Sequence, residues 1–489
     1  MPRPRATDSR FDARGGVATS LSDDVLDLTE VKQAKNGRSY TQGAWDKRCG
    51  TQRLHTTQLE AGAVVNGVHL WKPSANEAVA ICNGHLFYKA YAAADYTKVA
   101  STLNTTGILR WARWRSGATI QLYFVDGTTL RRWDGAVLTT SFTSAPSTSA
   151  KDLTLFKLRM FVAEGKRLSW SKRGDPSLWG SGNGGGYADI ETFDAEDIMG
   201  VIKVGSSILI AKQNNIARYT GISSEDIKID TEQEGVSATV GAVGVGTFIT
   251  LDEAGFTLSD RGPYLVTESG VQPVDLKIGK EFDLANRAQM ASAIAEYHRG
   301  RREVWLSMAA SGENTNLTTW ILNLRTLTWS GPFVFPFSVR SLARYEQSDG
   351  TESIQVGGTD GWTRDLDVRT IAAKDDMLKD GTGGTNITLT LEYPPILGGE
   401  PAAIKAVRAA QALSANLKTS GSVTAAWSSE MGSGSVAIAS AGTGMKSYPF
   451  KWNFAKGRRI VRTLTEATSE LVTIAGIQSP VSTGRKAHG

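Results

Sequence analysis

Proton transfer and metal binding near neutral pH call first on histidine, and this chain has five: His55, His69, His85, His298 and His488. They are scattered, none falls in an HExxH pattern, and the sequence contains neither a GxSxG elbow nor a GxxxxGK[ST] phosphate loop. The sequence therefore predicts no metal, no cofactor and no histidine-activated nucleophile, and so a protein that is not an enzyme. One carboxylate cluster has suggestive spacing. Asp194 and Glu196 are two residues apart, with Asp197 next to them; on a strand the first two would share a face, which makes them candidates for the acid and base pair of a glycosidase. A solvated acidic turn ahead of residues 198–204 accounts for the same three residues.

Positive charge is the other resource. Two runs stand out, His298-Arg299-Gly300-Arg301-Arg302 and Lys456-Gly457-Arg458-Arg459. Such turns could contact nucleic-acid phosphates without reading bases, or face solvent or a neighbour's acidic edge. Neither carries the stacking aromatics of a single-strand reader. Arg3, Arg5, Arg10 and Arg14, around Phe11, form a third set, suited to anchoring on a partner or to a solvated tail. The balance is mild: 54 Lys and Arg against 49 Asp and Glu give +5 over 489 residues, which permits acidic partners without requiring them.

The elements that would position these groups are strands. Glycine is frequent at 51 residues beside only 14 prolines, a mixture that suits short strands and tight turns. One unit recurs seven times, an alternating apolar strand, a tight turn and a second strand. Its turns fall at Asn83-Gly84, Asp126-Gly127, Glu164-Gly165, Asn214-Asn215, Ala254-Gly255, the longer stretch from Ser311 to Asn316, and Asp360-Gly361. From Asn83 to Asp360 the mean spacing is about 46 residues, the period of a four-stranded propeller blade. The reading is an all-β chain whose centre is a β-propeller of about five to seven blades; two or three β-sandwiches would supply similar hairpins.

Boundaries follow from texture. Residues 1–60 hold no repeat and read as an extended N-terminal arm that docks on something; residues 61–370 are the propeller; residues 371–385, ending Asp380-Gly381-Thr382-Gly383-Gly384-Thr385, are a glycine-rich linker. Residues 386–489 alternate in several places and predict a C-terminal β-sandwich or barrel. Within it residues 404–417, from Ile404 through Leu417, fit either an amphipathic helix or a strand pair. Cys49 and Cys82 are too few for a disulfide framework. No apolar h-region follows the N-terminal arginines, and residues 240–251 are too short to span a bilayer; synthesis in a cytoplasm, with solubility until assembly, is expected.

Three segments carry a resemblance. The arm reads Phe11-Asp12-Ala13-Arg14-Gly15-Gly16-Val17, then Asp23-Asp24, then Leu28-Thr29-Glu30 through Asn36, and ends Lys47-Arg48-Cys49-Gly50-Thr51. Ser169-Trp170-Ser171 precedes Gly174-Asp175-Pro176-Ser177-Leu178-Trp179, and Trp320-Ile321-Leu322-Asn323-Leu324 precedes Leu327-Thr328-Trp329. Together, loosely over residues 11–370, these resemble the tail nozzle or hub proteins of short-tailed bacteriophages. The chain departs from them where Ala13-Arg14 interrupts the run before Gly15-Gly16 and where Cys49 falls between arginine and glycine. The resemblance implies a virion tail protein, a homohexameric ring below the portal and adaptor proteins and beside tail fibre or spike proteins. Such a ring would retain packaged double-stranded DNA and release it during ejection, with no membrane in the assembled virion. On that reading Arg299, Arg301, Arg302, Lys456, Arg458 and Arg459 are candidates to face the lumen and DNA. Arg3, Arg5, Arg10, Phe11 and Arg14 are candidates to dock on the adaptor or portal. The alternatives are a carbohydrate-binding or glycan-cleaving propeller of host-surface recognition, and a peptide-binding scaffold, which lacks the Gly-His and Trp-Asp punctuation of common repeats.

Overall fold

The structure, a computed structural model, describes residues 7–483 apart from residues 12–13, 23–25, 28, 40–42, 73–76, 91–92, 101–102, 147, 193–195, 222–227, 232–234, 347–349, 369–372, 397–403, 408–410 and 453–454. Seven four-stranded antiparallel sheets follow one another as blades 1 to 7, at residues 65–100, 110–139, 150–189, 200–230, 249–273, 294–334 and 339–368. The hairpin turns do what their residues allow. Asn83 and Gly84 both take positive φ, 50° and 73°, joining Glu77–Cys82 to His85–Lys89 in tight register. Six of the seven expected hairpins join the second and third strands of a blade. The fifth joins the first and second: Gly255 opens the strand Gly255–Ser259, paired with Ile249–Thr250.

Strand alternation stacks the blades. In Ser207–Ala211 every residue is buried; Ile208 and Ile210 pack towards blade 3 with Phe161 and Leu168, whereas Leu209 and Ala211 pack towards blade 5 with Phe248 and Val266. A blade with two neighbours needs this two-faced apolar pattern, and each fully buried aliphatic side chain contributes about 1.5–3 kcal/mol.

The arm docks on the chain's own propeller and sandwich. Its strand Gly50–Arg53 pairs with Thr363–Val368 and completes blade 7, so the ring closes with strands from both ends of the propeller. Further upstream Gln33–Lys35 pairs with Leu389–Ile396, while Thr7–Phe11 and Trp45–Lys47 pair with Thr473–Thr483. The C-terminal region is thus a five-stranded and an eight-stranded sheet, both containing arm strands. One apolar cluster runs from Phe256 and Trp329 in blades 5 and 6, through Val17, Val31 and Trp45 of the arm, to Leu391, Leu413 and Leu464 of the sandwich.

Residues 404–417 resolve as strands, Lys405–Val407 and Gln411–Asn416, both alongside Thr473–Thr483. The glycine-rich stretch is likewise no loose linker. Lys374–Asp375 pairs with Thr385–Asn386, and Gly381, Gly383 and Gly384, all at positive φ, form the turn between them.

Candidate functional site

Charged groups concentrate at two places. The first is the joint where arm, propeller and sandwich meet. Asn36 Oδ1 accepts from Arg48 Nε at 2.9 Å and from the Val334 amide at 3.1 Å. The Arg48 guanidinium grips Asp375, with Nη1 2.7 Å from Oδ1 and Nη2 on Oδ2. Arg364 bridges Asp360 at 2.5 Å and Asp376 at 2.8 Å, and Arg53 reaches Asp376 at 2.6 Å. Arg38 pairs with Glu303. Lys47 lies 2.6 Å from Glu466 with both side chains fully buried; burial pulls the Lys47 amine below its ordinary pKa against that hydrogen bond.

The second place is the propeller's axis. The innermost strands of all seven blades line a channel cavity of about 590 Å³. Among the lining residues are His69, Arg110, Arg113, Lys203, Glu296 and Arg344, with Asp252 and Arg299. Arg110 Nε is 2.9 Å from Asp152 Oδ1, and Arg299 Nε is 2.9 Å from Asp252 Oδ1, whose other oxygen accepts from the Tyr297 hydroxyl at 2.7 Å.

Of the predicted residues that the structure describes, only Arg299 lines this channel. Its turn links Ile294–His298 to Glu303–Met308: the Arg302 amide donates to Arg299 O at 3.1 Å, and Arg302 sits at φ 55°. Arg302 is exposed and Arg301 half-buried; burial drives His298 down to about 3, helped by the charges of Arg301 and Arg38. The second basic turn lies on the sandwich. Lys456, Arg458 and Arg459 are exposed, and the amides of Arg458 and Arg459 donate to Glu430, holding that carboxyl below its usual pKa. The two runs therefore belong to different domains. Arg10 and Phe11 lie in a strand whose backbone is already paired to Gln478 and Ile477, Arg14 is exposed at the turn before Gly15, and Arg3 and Arg5 lie outside the described residues.

Asp194 also lies outside the described residues. Glu196 accepts from Asn214 at 2.6 Å and Asp197 pairs with Lys151 at 2.9 Å; each thus has its own partner, and neither is posed as half of an acid and base pair. Both cysteines are buried and neither is in a disulfide. Among the described residues no group of His, Cys, Asp and Glu could hold a metal ion. Sequence reasoning missed His69, Arg113, Lys203 and Arg344; the available signal was cationic residues on the strand that precedes each hairpin, as in Arg110-Trp111-Ala112-Arg113.

The segments that carried the resemblance have structural work in this fold. Gly16, at φ 76°, lies so close to blade 6 that a Cβ there would meet Thr328 Cβ at 2.8 Å. Asp175 Oδ1 accepts from the Ser177 amide and hydroxyl at 2.9 and 2.6 Å, in a loop that buries Trp179.

No family model and no curated protein matches the chain. Among solved structures it is similar to the extracellular domain of BT4673 from B. thetaiotaomicron, with TM-score 0.45 and 11% identity over 66% of this chain and 40% of that one. It is also similar to BBS1N, solved in complex with ARL6DN, at TM-score 0.44 and 13% identity over 66% and 98% of the two chains. The N-terminal domain of Nup159 gives 0.39 and 10% over 69% and 99%. The chain thus spans two-fifths of the BT4673 domain. The fold is an all-β propeller, a class that hosts many unrelated functions.

Proposed function

We propose that the protein is a structural component of a bacteriophage tail, a nozzle or hub subunit. It assembles as a ring, six copies in the simplest case, below the portal and adaptor proteins, retains the packaged genome and lets it leave. The observation that carries this reading is the joint: propeller and sandwich are tied by arm strands, buried ion pairs and one apolar cluster, the build of a wall element that must resist force. The arm segments that carry the resemblance supply residues of the tie, Gly16 against blade 6 and Arg48 on Asp375.

The genome's path lies between subunits and not along one propeller's axis, because a cavity of about 590 Å³ is of small-molecule size. Duplex DNA would meet the ring wall through phosphate contacts alone, with the exposed Lys456, Arg458 and Arg459 as the residues at hand. Portal, adaptor and fibre or spike proteins are the expected partners, and the virion tail the expected location. Negative-stain electron microscopy of the purified protein, alone and mixed with the portal and adaptor proteins of its own virus, tests this. Six-fold rings with a central opening in either sample support it. Isolated discs in both samples, together with absence of the chain from purified virions by mass spectrometry, overturn it.

A further inference from the structure

The channel along the propeller axis carries charge that no role described above uses. Arg110, Arg113, Lys203, Arg299 and Arg344 line it against two lining carboxylates, Asp252 and Glu296. Arg110 is spent on Asp152 and on the Phe248 carbonyl at 3.1 Å, and Arg299 on Asp252. Glu296 Oε1 accepts from the Tyr297 amide at 2.9 Å. Arg344 has Glu352 at 3.8 Å, a carboxylate that already accepts from the Gly300 amide at 2.7 Å, and it shares the field of the buried Glu296 with Arg110. Among the described residues no carboxylate lies within ion-pair distance of Arg113 or Lys203.

Arg113 and Arg344 are close enough that the charge of Arg344, after burial, lowers the pKa of Arg113, with Glu346 opposing from farther off. Both cations also bear on His69, whose pKa burial pushes down to about 3, so the imidazole is neutral. Its ring stacks on Trp111 at 5.5 Å, and its buried Nε2 has no hydrogen-bond partner. Two guanidiniums of like charge beside an unsatisfied imidazole nitrogen are costly without a counter-charge, and charge-assisted bonds to an oxyanion remove that cost.

The geometry points to a binding site in the propeller channel for a small multivalent oxyanion, held between Arg113 and Arg344, with Lys203 adding attraction from the opposite wall. A cavity of about 590 Å³ accommodates a ligand of this class together with water. The site stands independently of the tail reading, since it belongs to a single subunit.

Isothermal titration calorimetry of the full chain, with inorganic pyrophosphate and citrate as separate probes at physiological salt, tests it. Saturable binding of one ligand per chain is expected for at least one probe: pyrophosphate alone assigns phosphate groups, citrate alone assigns carboxylates, and both assign multivalent oxyanions in general. Arg113→Gln and Arg344→Gln should each weaken binding about tenfold or more, and Lys203→Gln about threefold. Arg167→Gln, on the outer part of blade 3 where Arg167 pairs with Asp189, should leave it unchanged. Because the Arg113 side chain is exposed to the channel, Arg113→Gln decides the matter even if Arg344→Gln fails to fold. No saturable heat with either probe up to about 10 mM, or undiminished binding by Arg113→Gln, overturns the proposal.

Discussion

At the joint each buried guanidinium meets a carboxylate: Arg38 meets Glu303, Arg48 meets Asp375, and Arg364 lies between Asp360 and Asp376. In the channel the same side chain is left facing open volume, with no carboxylate among the described residues in ion-pair distance of Arg113 and with Glu352 at 3.8 Å from Arg344. The difference is one of solvation. A charge taken out of water must be paired and hydrogen-bonded or it destabilises the fold, so the joint's arginines are fixed by the folded chain itself. A charge left facing a wet channel keeps part of its hydration, which lowers that cost without removing it and leaves the charge available to a ligand. The type of residue therefore says little about its role; its access to water and the distance to its carboxylate say most.

The sharpest way to break the contrast is at Arg48. Arg48→Met leaves Asp375 buried without its partner and should cost about 3–5 kcal/mol, read by denaturant unfolding followed through tryptophan fluorescence. Arg48→Met combined with Asp375→Leu should recover most of the loss. A cost below about 1 kcal/mol for the single variant would place the joint with ordinary surface pairs.

Asp365 tests the opposite case, a buried carboxyl that forms no ion pair among the described residues. It lines a cavity of about 180 Å³ with Lys89, Tyr96, Tyr345 and Gln355, its Oδ1 has no hydrogen-bond partner, and burial raises its pKa to about 7 from 3.8. The folded chain then keeps this proton to higher pH than the unfolded chain does. Its contribution is complete below about pH 4 and is lost as pH rises towards about 7, at no more than ~1.4 kcal/mol per pH unit, and it is flat above. Melting temperature against pH should show this slope, and Asp365→Asn should abolish it; an unchanged slope in the variant would mean that another group titrates. The smallest effect is expected at the channel mouth. Arg299→Gln breaks an exposed pair with Asp252 and should cost under about 1 kcal/mol in the same unfolding assay; a cost above about 2 kcal/mol would make the mouth part of the joint.

The blades were legible because their signal is local. Asn83-Gly84 specifies its own turn, and strands such as Ser207–Ala211 are long enough to show that both faces are apolar. Blade 5 was read one strand out of phase because Gly255, a turn residue by type, opens a strand. The arm was not legible. Gly16–Val17, Glu30–Val31 and Gly37–Arg38 are two residues each, too short for any periodicity, and their partners are distant in sequence. The basic runs stood out by composition, yet the channel cations did not: Arg113, Lys203 and Arg344 come from three blades, and only ring closure brings them together.

The strand exchange between arm and sandwich also sets a schedule for synthesis. Lys47 finds Glu466 419 residues later in the chain, and at roughly 5–20 residues per second a ribosome takes about 20–80 s to cover that distance. Through that interval the arm's apolar residues Val17, Val31 and Trp45 have no sandwich to enter, while blades 1 to 6 are already free to stack. The nascent chain thus passes through a stage in which an unclosed propeller trails an unpaired leading segment. That stage is where a chaperone would act and where two chains made on one message could exchange arms.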